Sequence, residues 1–141
     1  MANTQAVSGA MKQAALSAVV DGKSMKGALY LASATTNGTN AVYTGTGELS
    51  ATGNYATGGA TVTNANTAGL TSTTAYWTPS ASISWTNLTS SGSFDAVMIY
   101  STTDTNRNIG VFTFTAQSIV AANFSLTMPT NDSSTGLVRF A

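Results

Sequence analysis

The spacing of apolar and polar residues divides this chain into one helical segment and a longer series of strands. Between residues 3 and 20, apolar residues recur at intervals of three and four, which predicts a helix, and Asp21-Gly22 is a typical stop signal. From Lys26 onward the pattern changes to short apolar or alternating runs that are separated by turn residues. A helix this short is marginally stable alone. We therefore expect it to dock on its own domain, with docking on a neighbouring subunit as the alternative.

The predicted strands differ in how completely they should be buried. Residues 27–32 are a continuous apolar run, and 94–100 contain the uninterrupted run 96–100. Such runs are typical of strands covered on both faces. Residues 123–128 alternate strictly and should bury one face. The segment 35–69 is rich in Thr, Gly and Asn, and it predicts long surface loops with short edge strands. Further candidate strands are residues 41–43, 47–51, 60–63, 76–85 with a bend or edge at Pro79, 109–115 and 136–140.

The number and spacing of these strands indicate the fold class. Short strands at intervals of about ten residues are typical of a sandwich or a barrel. Long early connections favour a jelly-roll β-sandwich of about eight antiparallel strands with a short N-terminal helix, and an immunoglobulin-like sandwich is the alternative. A chain of 141 residues should form one core. We therefore predict an N-terminal helical arm at residues 1–25 and a jelly-roll β-domain at residues 26–141.

The composition argues against catalysis. The chain has no histidine, no cysteine, five basic residues and five acidic residues. Histidine and cysteine supply most general bases, nucleophiles and transition-metal ligands, so the usual triads and thiolate sites are excluded. Glu48 with Asp95 remains as a carboxylate pair of the kind glycosidases use, and Asp104 with Asn106 as calcium ligands, but the surrounding sequence supports neither. We expect no enzymatic activity, no metal and no cofactor.

The few charges are unevenly distributed. Residues 1–30 hold Lys12, Lys23 and Lys26 against Asp21, whereas the remainder holds four acidic residues against two arginines. This distribution would let the basic residues 1–30 attract the acidic remainder of a second copy, or an acidic partner. The alternative is that the ten charges are distributed by chance. The net charge of zero argues against direct binding of nucleic acid. No apolar run approaches the roughly 20 residues of a membrane span, and we expect the weakly apolar residues 14–20 to belong to the mature protein.

Four aromatic residues offer a possible sugar-binding platform. They are Tyr55, Tyr76, Trp77 and Trp85. Packing in the core is the expected role of Trp85, whereas Trp77 fits either role equally well.

Five segments follow one another in an order typical of one group of proteins. They are KGALYL at 26–31, GELSATG at 47–53, YATGG at 55–59, ISWTN at 83–87 and FDAVMIY at 94–100. In this order they resemble small structural proteins encoded beside the capsid genes of tailed bacteriophages. More narrowly, the chain resembles a capsid cement (decoration) protein of jelly-roll type from a short-tailed phage. The likeness covers about residues 26–140, and the helix matches more loosely.

The resemblance implies a mechanical function. Such proteins bind the outer surface of the virion head, across contacts between neighbouring subunits of the major capsid protein, and stabilise the shell against the pressure of packaged DNA. Assembly would take place in the host cytoplasm. We expect residues 1–26 and the loops of 35–69 to contact the shell, with Lys12, Lys23 and Lys26 facing its acidic groups. The alternative is a carbohydrate-binding or receptor-binding β-module of a phage fibre.

A second copy of the chain is also an expected partner. Lysines on edge strands normally discourage pairing between sheets, and this chain has few lysines. The sequence therefore predicts a homodimer in addition to the contact with the major capsid protein.

Overall fold

A computed structural model describes residues 3–141, which form one helix and nine strands. Helix α1 spans Gly9–Val20. The strands are β1 Met25–Leu31, β2 Ala60–Val62, β3 Gly69–Thr71, β4 Thr74–Trp77, β5 Ile83–Leu88, β6 Phe94–Ser101, β7 Arg107–Gln117, β8 Ala122–Leu126 and β9 Val138–Phe140. Within residues 3–141, no helix combines the length and apolar character that crossing a bilayer requires.

The strands pair into three antiparallel sheets. The largest has the order β2-β1-β6-β7, the second has the order β3-β4-β9, and the third contains β5 and β8. These pairings confirm the predicted all-β sandwich with a short N-terminal helix. The choice of a jelly roll over an immunoglobulin-like sandwich stays a prediction.

Strands β1 and β6 lie at the centre of the largest sheet, as their uninterrupted apolar runs predict. They pair in a register that places Leu29 opposite Val97. Leu29 packs into the main core, whereas its neighbours Ala28 and Tyr30 pack into a smaller core on the other face of the sheet. Burial of both faces explains why neither strand alternates between polar and apolar residues.

Helix α1 is shorter than predicted and docks on its own domain. The Ser8 side chain accepts a hydrogen bond from Met11 N and caps the helix, so the predicted helix at 3–20 began six residues too early. The helix packs against β3 and β4, and Leu16 and Val20 enter the main core. Gly9 permits this close approach, because a Cβ at that position would lie 2.7 Å from the carbonyl oxygen of Ser72.

Several predicted strands are interrupted or reduced to single bridges. The predicted segment 76–85 is divided between β4 and β5, with the buried Pro79 in the bend that the sequence predicts there. Residues 41–43 and 47–51 do not form strands. Each contributes one isolated bridge, Val42 with Arg107 and Glu48 with Tyr30. The long connection between β1 and β2 is therefore mostly irregular, as predicted for 35–69.

Candidate functional site

Glu48 is the only charged residue that is buried among residues 3–141, with 7% of its surface exposed. A buried carboxylate is strongly unfavourable unless donors surround it. Oε1 accepts hydrogen bonds from the Tyr55 hydroxyl and from Gly58 N, both at 2.7 Å, and Oε2 accepts one from the Tyr43 hydroxyl. Three donors therefore satisfy this carboxylate inside the fold.

Four of the five tyrosines gather around this carboxylate. We call the group the Glu48 cluster, and its members are Glu48, Tyr30, Tyr43, Tyr55 and Tyr100. The rings of Tyr43 and Tyr100 stack with centroids 4.6 Å apart. The cluster thus combines a satisfied charge with aromatic packing, and it joins residues from two central strands and the long β1–β2 connection.

The cluster fixes the long connection to the largest sheet. The Tyr55 hydroxyl accepts a hydrogen bond from Leu29 N at 2.9 Å, and the Tyr100 hydroxyl donates one to the Gly58 carbonyl at 2.8 Å. Gly59 lies directly on β1, with a φ of +79°, and a Cβ there would lie 1.9 Å from the carbonyl oxygen of Gly27. Both the backbone angle and the close contact require glycine at this turn.

The surroundings keep the tyrosines protonated. Burial, followed by the nearby Glu48 charge, raises the pKa of Tyr30 to about 12. Burial is also the main cause that raises the pKa of Tyr43, Tyr55 and Tyr100, and Glu48 adds to it in each case. At neutral pH these hydroxyls are therefore available as hydrogen-bond donors.

The sequence offers Glu48 and Asp95 as a glycosidase-like pair, and no hydrogen bond among residues 3–141 joins their carboxylates. Glu48 is engaged by the cluster, and Asp95, in β6, is not among its hydrogen-bonding partners within residues 3–141. Asp104 forms an ion pair with Lys23 at 3.2 Å. Across residues 3–141, no three acidic side chains are placed to share a metal ion.

The three lysines predicted to contact a shell lie in two places. Lys12, on α1, donates to the Thr73 carbonyl at 3.2 Å. Lys23 and Lys26 line one surface cavity of about 400 Å³, together with Thr61 and Thr102 among other residues. The structure thus brings Lys23 and Lys26 together and leaves Lys12 beside the β3–β4 turn.

The candidate sugar platform does not form a common surface. Trp77 and Trp85 are 0% and 5% exposed, and Tyr55 belongs to the Glu48 cluster. Trp85 packs against Phe124 with ring centroids 5.7 Å apart, which confirms its predicted place in the core. Only Tyr76 of the four is partly exposed.

Asp132 has a local structural role. Its Oδ1 accepts hydrogen bonds from the backbone N–H groups of Ser134 and Thr135, both at 2.7 Å. These hydrogen bonds lower the pKa of the Asp132 carboxyl. Such a cap holds a turn, which is a common role of Asp in loops.

Comparison of the chain with protein-family models, with curated proteins and with solved structures found no match.

Proposed function

We propose that this chain is a structural virion protein that binds the outer surface of a phage capsid and stabilises it against internal DNA pressure. The observation that carries the proposal is the Glu48 cluster, because it makes a buried charge part of the framework of the fold. A protein that stiffens a shell must keep its contact surfaces in fixed positions. The order of sequence segments that resembles capsid cement proteins supports the same function.

The loops of 35–69, which the sequence predicts to contact the shell, are hydrogen-bonded to the largest sheet. On the 35–69 side, Leu49 N donates to the Leu29 carbonyl at 2.9 Å, and Leu31 N donates to the Gly47 carbonyl at 2.9 Å. These bonds add to those of the Glu48 cluster. The connection is irregular but tied to β1 at several points, which suits a loop that bears load.

The N-terminal region offers a second, different surface. Val7, just before the Ser8 cap, and Met11, on α1, are 53% and 59% exposed, and Lys12 follows Met11 in the helix. Exposed apolar side chains next to a cation suit contact with a partner that is partly apolar and partly acidic. Weak contacts at two surfaces are sufficient on a fixed lattice, because binding at one raises the effective concentration at the next.

The sugar-binding alternative has no comparable support. Its main aromatic residues, Trp77 and Trp85, are buried, and Trp77 Nε1 already donates to Asn64 Oδ1 at 3.1 Å. A stacking platform needs exposed ring faces.

The proposal is tested by heating DNA-filled heads that lack any decoration protein, with and without this chain. The heads should come from short-tailed phages, and release of DNA is followed with an intercalating dye. We expect the added protein to raise the temperature of DNA release in a saturable manner. An unchanged release temperature at saturating protein would refute the stabilising function.

A further inference from the structure

Strand β7 leaves a long backbone edge uncovered. It is the longest of the described strands, with 11 residues, and it ends the order β2-β1-β6-β7. None of its residues is buried, whereas seven of the eight residues of the adjacent β6 are buried. The largest sheet therefore stops abruptly at a strand that could accept another.

Only the beginning of this edge is covered. Tyr43 N donates to the Asn106 carbonyl at 2.8 Å, and Asn108 N donates to the Ala41 carbonyl at 3.1 Å. Beyond Asn108, the pairings among residues 3–141 place no strand on the outer side of 109–117. Nine residues at about 3.3 Å each would span about 30 Å in a regular strand, and the two register shifts between β7 and β6 make the open edge somewhat shorter than this.

The open edge has only part of the usual protection against pairing: its register with β6 shifts near both ends, but it carries no charge. Residues 109–117 read IGVFTFTAQ and contain neither a charged residue nor a proline. Natural edge strands are normally short, charged, bulged or covered. The opposite edge of the same sheet follows this rule, because β2 has only three residues. The long edge of β7 is thus suited to a strand partner.

We propose that β7 pairs antiparallel with β7 of a second copy of this chain, about a two-fold axis near Thr113. A second copy would meet no electrostatic repulsion at this edge, because residues 109–117 carry no charge and the net charge of the whole chain is zero. Residue 113 is the midpoint of the open segment, so full overlap places Thr113 opposite its own counterpart. Phe112 then lies opposite the second copy's Phe114, and aromatic pairs across strands are stabilising.

The pairing joins two four-stranded sheets into one of eight strands. An isologous contact of this kind closes on itself and forms a dimer rather than a fibre. The inference goes beyond the proposed capsid function and does not depend on it, because it concerns the free protein.

A single introduced cysteine tests the two-fold axis, since the chain has no cysteine of its own. Opposite Cα atoms in antiparallel strands lie about 4.5–5.5 Å apart, which is within the roughly 4.4–6.8 Å range of disulfides. We expect mild oxidation to convert most Thr113→Cys protein to a species of twice 14.3 kDa. The matched control is Thr61→Cys, an exposed position in β2 on the opposite edge, which should remain mostly without the intermolecular disulfide. Equal cross-linking of both variants would overturn the proposal.

A second test introduces charges into the open edge and measures the oligomeric state without cross-linking, so that disulfides formed by chance collision cannot affect the result. Thr113 and Thr115 are both exposed, so Thr113→Lys with Thr115→Lys should preserve the fold. By sedimentation equilibrium, we expect the wild type to be a dimer, this double variant a monomer, and the control Thr61→Lys with Thr63→Lys a dimer. A monomeric wild type, or a dimer that survives charges at 113 and 115, would overturn the proposal. Tryptophan fluorescence checks that each variant is folded.

Discussion

The Tyr55 hydroxyl donates a hydrogen bond to the buried Glu48 carboxylate, with 2.7 Å between the two oxygens. The same hydroxyl accepts a hydrogen bond from Leu29 N in β1. The Tyr55 hydroxyl therefore links the long β1–β2 loop and the buried Glu48 carboxylate to strand β1 of the largest sheet. This link makes the stability of the fold depend on a residue distant in sequence from the strand it holds.

Replacing Tyr55 with Phe should lower the free energy of unfolding by about 1–3 kcal/mol, because it leaves Leu29 N without an acceptor and removes one of the three donors to Glu48. Urea unfolding followed by tryptophan fluorescence measures the change. The matched control is Tyr76→Phe, outside the cluster, which should alter stability by about 0.5 kcal/mol or less. Equal effects of the two substitutions would contradict the structural role of the Tyr55 hydroxyl.

Stability should fall at alkaline pH. The pKa of Tyr30 is about 12 in the folded protein, whereas a tyrosine in an unfolded chain has a pKa of about 10. The folded state therefore holds its proton where the unfolded state loses it, so the contribution is complete below about pH 10 and is lost as pH rises towards 12. Urea midpoints measured in this range should decrease. Tyr30→Phe should reduce the slope relative to Tyr76→Phe, and a midpoint that does not change with pH would contradict the effect.

The two tryptophans should respond differently to substitution by Phe. Trp77 Nε1 donates to Asn64 Oδ1, whereas the buried Trp85 Nε1 has no acceptor within residues 3–141. Trp77→Phe should therefore reduce the free energy of unfolding more than Trp85→Phe, by about 1–2 kcal/mol. Calorimetry or urea unfolding gives the comparison, and the reverse order would show that Trp85 Nε1 is hydrogen-bonded.

Complete truncation of Trp85 is a separate test of the core. Trp85→Ala should cost about 3–5 kcal/mol, because it removes the ring that packs on Phe124. A soluble variant with unchanged stability would show that the Trp85 side chain is exposed.

Binding to shells should depend on the N-terminal residues and on the lysines. Deleting residues 1–20 would remove Leu16 and Val20 from the core, so a deletion that ends at residue 7 and keeps the Ser8 cap is the cleaner variant. We expect this deletion, Lys12→Gln and Lys26→Gln to weaken shell binding, each lysine by about 0.2–1 kcal/mol. Arg139→Gln removes the same charge elsewhere and should have little effect. Wild-type occupancy for all variants would exclude the N-terminal residues and both lysine positions from the contact.

The sequence predicts well those parts of the fold that depend on local patterns. The apolar runs within 27–32 and 94–100 form the central strands β1 and β6, because a continuous apolar run favours burial on both faces. The Asp21-Gly22 stop is also confirmed, since Asp21 caps the helix and Gly22 has a φ of +65°. These features require information from a few neighbouring residues only.

The Glu48 cluster could not be predicted in the same way. Its members are spread from Tyr30 to Tyr100, and they meet only because β1 pairs with β6 and the 32–59 connection folds back on that pair. The local signals were an acidic residue followed by an apolar one at 48–49 and the Gly58-Gly59 turn. Neither signal identifies a partner at long range, so Glu48 was interpretable from sequence only as a possible catalytic carboxylate.

Co-sedimentation with capsid shells tests most directly the proposal that this chain binds the outside of a phage capsid. Purified protein is mixed with empty, expanded heads assembled from the major capsid proteins of short-tailed phages, and the pellets are analysed for copy number. We predict saturable co-sedimentation at a fixed ratio to capsid subunits, with weaker binding for Lys26→Gln than for Arg139→Gln. Protein that remains in the supernatant with every such shell, at concentrations where it is folded, would contradict the assignment as a capsid cement protein.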